Sequence, residues 1–325
     1  MDSNIAILTT LLSSAMWGSW FLSLKYLGRY PISGFVLWLY SSSFIIVWII
    51  VLLFTPLNQI IGEITDKNIS FIFIILLSGA LMAVGMHMQL IFMNKSGLIL
   101  VISISSAFSA IFGLIISILV GGLPETVSIN FVLLAAVILL IASFICQYSG
   151  VLRDRDRNGK GEKERVGFRS YLLLILSNFL LTGYVYGYSI GTRTEMNPDG
   201  LPPLICVAVL VTGSFIGAFL STSLVTTRNK EWKEVLNLKK ALPILMGSLS
   251  GICHYGGNIL SIFTAPILSV PVTFLLGQTS HMWTYLWGII FKEYNGTKIS
   301  TKLTLGAGIF VYVIGIFLLS FGLYD

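Results

Sequence analysis

The 325-residue sequence predicts an all-α integral membrane protein of ten transmembrane helices, arranged as two inverted five-helix repeats. Composition sets the class: 55% of the residues are hydrophobic and 10% charged, whereas soluble domains carry about 25% charged residues. Apolar runs of about 20 residues, each long enough to cross a hydrocarbon core about 30 Å thick, recur along the chain. A charged segment at the midpoint leaves five such runs on either side, which sets the arrangement.

The spans fall at roughly 5–27, 32–54, 70–94, 96–120, 126–149, 170–191, 201–226, 241–264, 267–291 and 301–323. They are too long and too continuous for barrel strands, which alternate over about ten residues. The start, "MDSNIAILTT", has an acid where a signal peptide has basic residues, so the first run is expected to be a mature helix. Residues 1–150 form the first five-helix repeat, 151–169 a linker, and 170–325 the second repeat. Cys146, Cys206 and Cys253 fall inside spans without metal-ligand spacing and are expected to pack as small apolar residues.

Lysine and arginine set the orientation, because they accumulate in cytoplasmic loops. The loops after spans 1, 3, 5, 7 and 9 hold 18 of the 20, and only Lys67 and Arg193 lie on the other side. Both termini are therefore expected outside, in a multi-pass plasma (inner) membrane protein with a cytoplasmic linker. The net charge of +6 is then a topology signal, and nucleic-acid binding is not expected. The linker, "VLRDRDRNGKGEKERVGF", mixes both signs as a solvated connector does. Its Gly159-Lys160 lacks the spacing of a phosphate-binding loop.

The halves show weak self-similarity: "SGALMAVGMHMQLIFMNKSGLILVISI" lies against "MGSLSGICHYGGNILSIFTAPILSVPV" at an offset near 169. Gln89 falls opposite Asn258, and Glu125 opposite Glu293, each Glu closing the fourth span of its half. Five is odd, so the second half enters the membrane upside down, as in many secondary transporters whose site lies at the repeat interface. With these features the chain resembles the drug/metabolite transporter superfamily. "GIIFKEYNGTKISTKLTLGAGIFVYVIGIF", "SGALMAVGMHMQLIFMNKSG" and "MWGSWFLSLKYLGRYP" are similar to the branch of L-rhamnose–proton symporters, glucose/ribose porters and ureide permeases. That resemblance implies outward termini and carriage of a small metabolite. The linker lacks the nucleotide-like motif of the ureide permeases.

Polar residues inside spans are costly and mark function by default. Residues three, four and seven apart share a helix face. In span 8, Gly247, Gly251, His254, Asn258 and Ser261 form one stripe, with Gly247-xxx-Gly251 suited to close helix approach. His254 lies fourteen residues from Lys240, about 21 Å into the core. Gln278, His281, Tyr285 and Gly288 share a face in span 9. Gln89 joins Met82, Met86 and Met93 in span 3, the methionines expected to pack; His87, two residues from Gln89, cannot face the same cavity. Trp17 and Trp20 share a face in span 1, away from the interfacial belt where tryptophan usually sits. Asn178 and Thr182 pair on span 6. Pro266 and Pro271 are expected to break or kink the start of span 9, as a hinge or to free carbonyls for a ligand. The expected solute-binding set is Trp17, Trp20, Gln89, Asn178, His254, Asn258, Gln278, His281 and Tyr285.

All fourteen acids lie in loops or at span ends, which disfavours exchange of cationic drugs for protons. The absence of mid-span Lys or Arg likewise disfavours strongly anionic substrates. Tryptophan, tyrosine, amides and imidazole suit a neutral, polyhydroxylated or amide-rich solute. The expected function is alternating-access secondary transport of a small neutral solute, a monosaccharide or deoxysugar, by proton-coupled import. His254, His281 and His87 are the proton-coupling candidates, because histidine titrates near neutrality. Sodium coupling, passive transport, metabolite or amino-acid export, and a ureide or nucleobase permease remain alternatives. No catalytic carboxylate, nucleophile pair or metal-ligand set accompanies the histidines, so no enzyme activity, metal or cofactor is expected.

Overall fold

The computed structural model describes residues 2–96, 98–158 and 168–321. Fourteen helices follow in order: α1 (Ser3–Ser19), α2 (Ile32–Phe54), α3 (Leu57–Thr65), α4 (Ile69–Ser96), α5 (Leu98–Phe108), α6 (Leu114–Gly121), α7 (Ile129–Asn158), α8 (Phe168–Gly191), α9 (Pro203–Asn229), α10 (Trp232–Val235), α11 (Ala241–Leu268), α12 (Val270–Gly277), α13 (Ser280–Ile290) and α14 (Ile299–Phe321). A 3₁₀ segment, Trp20–Tyr26, prolongs α1, and a π segment, Ser109–Gly113, joins α5 to α6. Among the described residues, eight helical segments are long and apolar enough to cross a membrane: Ser3–Tyr26, Ile32–Phe54, Ile69–Met93, Ile104–Gly121, Ile129–Arg157, Leu172–Gly191, Pro203–Asn229 and Ile299–Phe321. The protein is an all-α, multi-pass integral membrane protein. The runs at 241–264 and 267–291 are α11, diluted by its polar stripe, and the interrupted pair α12–α13.

Local chemistry places the ends. The Asp2 carboxylate accepts from the Ile5 amide at 2.8 Å and caps α1. Pro203 opens α9, where its missing N–H costs nothing. Ser269, in the left-handed region at φ 72°, turns the chain sharply from α11 into α12. The break expected from the two prolines at the start of span 9 falls at Ser269, between them: Pro266 lies in the last turns of α11, and Pro271 occupies the first turn of α12, where proline is tolerated. Span 9 is interrupted a second time at Gln278–Thr279, where the Thr279 amide reaches back to the Leu276 carbonyl at 3.1 Å in a tightened turn.

The first eight residues of the expected linker continue α7 to Asn158. Contacts with the loop before α14 hold those extra turns: Asp156 accepts from the Lys298 amide at 3.0 Å and from Thr301 Oγ1 at 2.7 Å. Gly159-Lys160 and the rest of the linker through residue 167 lie outside the described residues.

Without a strong hydrophobic force between helices in lipid, close backbone approach and interhelical hydrogen bonds hold the bundle. α1 and α2 pack on α11, α2 and α4 on α9, α4 on α8, and α7 on α14. A Cβ at Gly251 would collide with the Leu39 carbonyl, and one at Gly213 with the Leu76 carbonyl, so both glycines permit a close crossing. At the end bearing the basic loops, Glu293 pairs with Lys25 and with Arg153, the latter at 2.5 Å. At the opposite end Arg193 holds Glu63 at 2.7 Å.

Candidate functional site

The helices enclose a central cavity of about 230 Å³. Pockets for drug-sized ligands run to about 300–1,000 Å³, so its occupant is smaller. Among the described residues no charged side chain lines it.

The cavity brings together Trp17, Trp20, Gln89, Asn178, His254, Asn258, Gln278 and His281. Trp17 comes from the last turn of α1 and Trp20 opens the 3₁₀ segment that prolongs it. Trp17 Nε1 donates to Asn258 Oδ1 at 2.8 Å and to the His254 carbonyl at 3.1 Å. An indole N–H can only donate, so this contact holds the amide oxygen of Asn258 toward Trp17 and leaves the amide nitrogen as the free group. Trp20 stacks on Phe21 with ring centroids 3.8 Å apart and meets the His254 ring edge-on at 5.7 Å.

His254 is 8% exposed and Asn258 2%. Both imidazole nitrogens of His254, and Nδ2 of Asn258, are buried without a hydrogen-bond partner, as is the Tyr184 hydroxyl on the cavity wall. A buried, unpaired polar group costs about 1–3 kcal/mol, a cost that a hydrogen-bonding partner at this cluster would relieve. The other amides are engaged. Asn178 Nδ2 donates to the Leu174 carbonyl at 2.8 Å, turning its oxygen toward Gln89 Nε2 at 3.5 Å. Gln89 also donates to Ser105, and Gln278 Nε2 reaches Ser109 Oγ at 3.5 Å.

Two expected site residues lie elsewhere. Tyr285 does not line the cavity; it packs in the second hydrophobic cluster, beside α7 and α14. The tightened turn at Gln278–Thr279 re-aims α13, so the face read for an unbroken helix passes out of the cavity after His281. His87 bridges three helices, its Nε2 3.0 Å from Ser33 Oγ on α2 and its Nδ1 3.2 Å from Ser221 Oγ on α9. With both nitrogens occupied outside the cavity, it is a packing group, and its candidacy for proton coupling falls. Replacing His87 by leucine is expected to cost about 1–3 kcal/mol of stability by leaving the buried Ser33 hydroxyl unpaired, since Ser221 keeps its bond to the Ala218 carbonyl. Any ligand-induced rise in melting temperature should stay unchanged, which a thermal unfolding series in detergent measures.

No protein-family model and no curated protein matches the chain. The site is therefore built from its own geometry. The sequence reading missed Phe21, Tyr184, Phe274 and the serines 105 and 109 as wall residues, and it took the lining methionines 82, 86 and 93 for packing. Helical spacing carried part of that signal: Phe21 is four residues from Trp17, and Ser109 four from Ser105.

Access is uneven. A wider vestibule of about 990 Å³ at the basic-loop end, bordered by Arg29 and Arg228, shares Met93 with the cavity. Toward the opposite end the helices pack closely. Tyr184 and Tyr188 stack at 5.9 Å, and the Tyr188 hydroxyl donates to the Ser261 carbonyl at 3.2 Å. Gly113 and Gly121 take Phe274 and Val270 directly against their backbones, closing the α6–α12 crossing.

Proposed function

We propose that the protein carries a small neutral solute, most simply a monosaccharide or deoxysugar, across a plasma membrane by alternating access. The unpaired His254–Asn258 set, in a charge-free cavity walled by aromatic rings, carries this reading. A neutral imidazole offers one donor and one acceptor, and neighbouring hydroxyls of one sugar answer both. The Asn258 Nδ2 takes a further hydroxyl oxygen, while Trp20 and Phe21 suit the C–H face of the ring. An ion in the same place would stay uncompensated, at a cost of several kcal/mol.

The proposal includes ten crossings in two inverted five-helix halves, with α11 and the α12–α13 pair joining the eight long apolar helices. The packing supports it, since exchanging the halves turns α1 on α11 into α8 on α4, and α2 on α11 into α9 on α4, while α2–α9 and α7–α14 map onto themselves. Ser109 and Gln278, 169 positions apart, touch each other, as residues related by a two-fold axis do close to that axis. The resemblance to the drug/metabolite transporter superfamily belongs to the same reading. With the basic loops cytoplasmic and the termini outside, the vestibule faces the cytoplasm and the closely packed end the exterior. Import is then coupled to a proton carried by His254 or His281.

Counterflow in proteoliposomes tests this, with D-glucose, L-rhamnose, allantoin, uracil and amino acids as solutes. Saturable exchange of one sugar class is the expected result. Exchange of allantoin, uracil or amino acids in place of sugars would replace the substrate assignment with one of the alternative permeases, and the absence of any exchange would overturn the carrier reading.

A further inference from the structure

Behind His281, a second and much smaller chamber of mixed apolar and polar lining lies among α5, α7, α12, α13 and α14. It measures about 10 Å³, and roughly 10–15 Å³ of such volume holds one water. Its walls include Ser106, Ser143, His281 and Tyr312. Gln147, one turn along α7, donates through Nε2 to Ser106 Oγ at 2.5 Å and Ser143 Oγ at 2.8 Å. Gln147 is 3% exposed and Tyr312 0%. Even so, Gln147 Oε1 and the Tyr312 hydroxyl are unpaired, the hydroxyl lying toward Ser143 without a well-aligned bond.

Polar groups continue from this chamber toward the basic-loop end. Tyr285 lies within electrostatic reach of Tyr312, Tyr294 and Arg153. Ser149 Oγ donates to the Tyr294 hydroxyl at 3.4 Å, and the neighbouring Glu293 holds Arg153 and Lys25. His281 lines both the chamber and the central cavity, so one ring touches two compartments.

We propose that the chamber binds one water molecule, and that His281 with Tyr312 and Gln147 forms a proton path separate from the solute path, along the α7–α13–α14 seam to the Glu293 end. This rests on the central cavity being the solute site. The water accepts the Tyr312 O–H and meets the imidazole with a further valence, while Gln147, outside the chamber's lining, acts on it through its bonds to Ser106 and Ser143. In the transfer step a hydronium in the chamber gives a proton to an imidazole nitrogen, leaving water and imidazolium. Release of that proton on the other side restores neutral imidazole; no other bond changes and no electron moves. The titratable group that shares the chamber with His281 is Tyr312 from α14; Cys146 from α7 and Tyr285 from α13 lie further along the seam around Tyr312, with Tyr294, Arg153, Glu293 and Lys25 at its end and His254 across the cavity. Imidazole is the group in the chamber wall whose ordinary range lies near neutrality.

The test uses the full-length protein in liposomes containing a pH-sensitive dye, with L-rhamnose and D-glucose as probes, scoring sugar-driven proton flux and sugar counterflow together. Tyr312→Phe and Gln147→Leu are each expected to lower proton flux at least tenfold while counterflow stays within twofold. Ser143→Ala, the milder change, should lower proton flux at unchanged counterflow and serves if either of the others fails to fold. Unchanged proton flux in the folded variants, or proton flux and counterflow falling together, overturns the proposal. Counterflow without proton movement in the wild type overturns it too and leaves the carrier reading standing. No counterflow of either sugar in the wild type overturns both.

Discussion

His254→Leu is expected to raise the melting temperature of the ligand-free protein while weakening solute binding by about tenfold to a hundredfold, the equivalent of about 1.4–2.8 kcal/mol. The two effects have one cause. In the empty cavity both imidazole nitrogens are buried without partners, and a shape-matched apolar side chain removes that desolvation cost, which is about 1–3 kcal/mol for each unpaired group. With solute present, the same nitrogens supply a donor and an acceptor that leucine lacks. Stability and function therefore move in opposite directions, as they do where a site holds strain or unpaired groups for its ligand. Thermal unfolding with and without sugar separates the cases: a melting temperature lowered in the ligand-free variant would make His254 an ordinary packing group.

Trp17→Phe is expected to weaken binding about tenfold or more and to lower stability by about 1–3 kcal/mol. The phenyl ring retains most of the aromatic wall but has no N–H, so Asn258 Oδ1 loses the donor that fixes its amide, which leaves a buried acceptor unpaired. The amide is then free to turn, and its nitrogen no longer waits in the orientation the solute needs. Residues acting through one hydrogen bond are not additive. Asn258→Leu added to Trp17→Phe should therefore cost little further binding, although Asn258→Leu alone costs about as much as Trp17→Phe. Additive losses in a titration of the three variants would show that the two side chains act independently.

The stripe of α11 was legible because periodicity survives in an unbroken helix: His254 and Asn258, four residues apart, do reach the same void. So was the separation of His87 from Gln89, which lie two positions apart and point in different directions along α4. Periodicity failed for Tyr285, because the face read from Gln278 onward presumes a helix that continues through Thr279, where the chain instead tightens and turns. The prolines were legible as a break at the start of span 9, but which residue takes the turn was not: Ser269, between Pro266 and Pro271, adopts the positive φ between α11 and α12.

By itself the sequence determined the class of protein, since a chain with 10% charged residues and repeated apolar runs has no stable home in water. It also placed the amides, imidazoles and indoles at depths where water cannot satisfy them. Only the tertiary structure decided which of those groups satisfy one another. His87 finds serines 54 and 134 positions away, Trp17 finds Asn258 across 241 positions, and the ring nitrogens of His254 find no hydrogen-bond partner. Hydrogen bonding is a short-range property of neighbours in space. Helical periodicity fixes only the direction in which a side chain leaves its own helix, so whether that direction meets a partner or a void is settled when the helices pack.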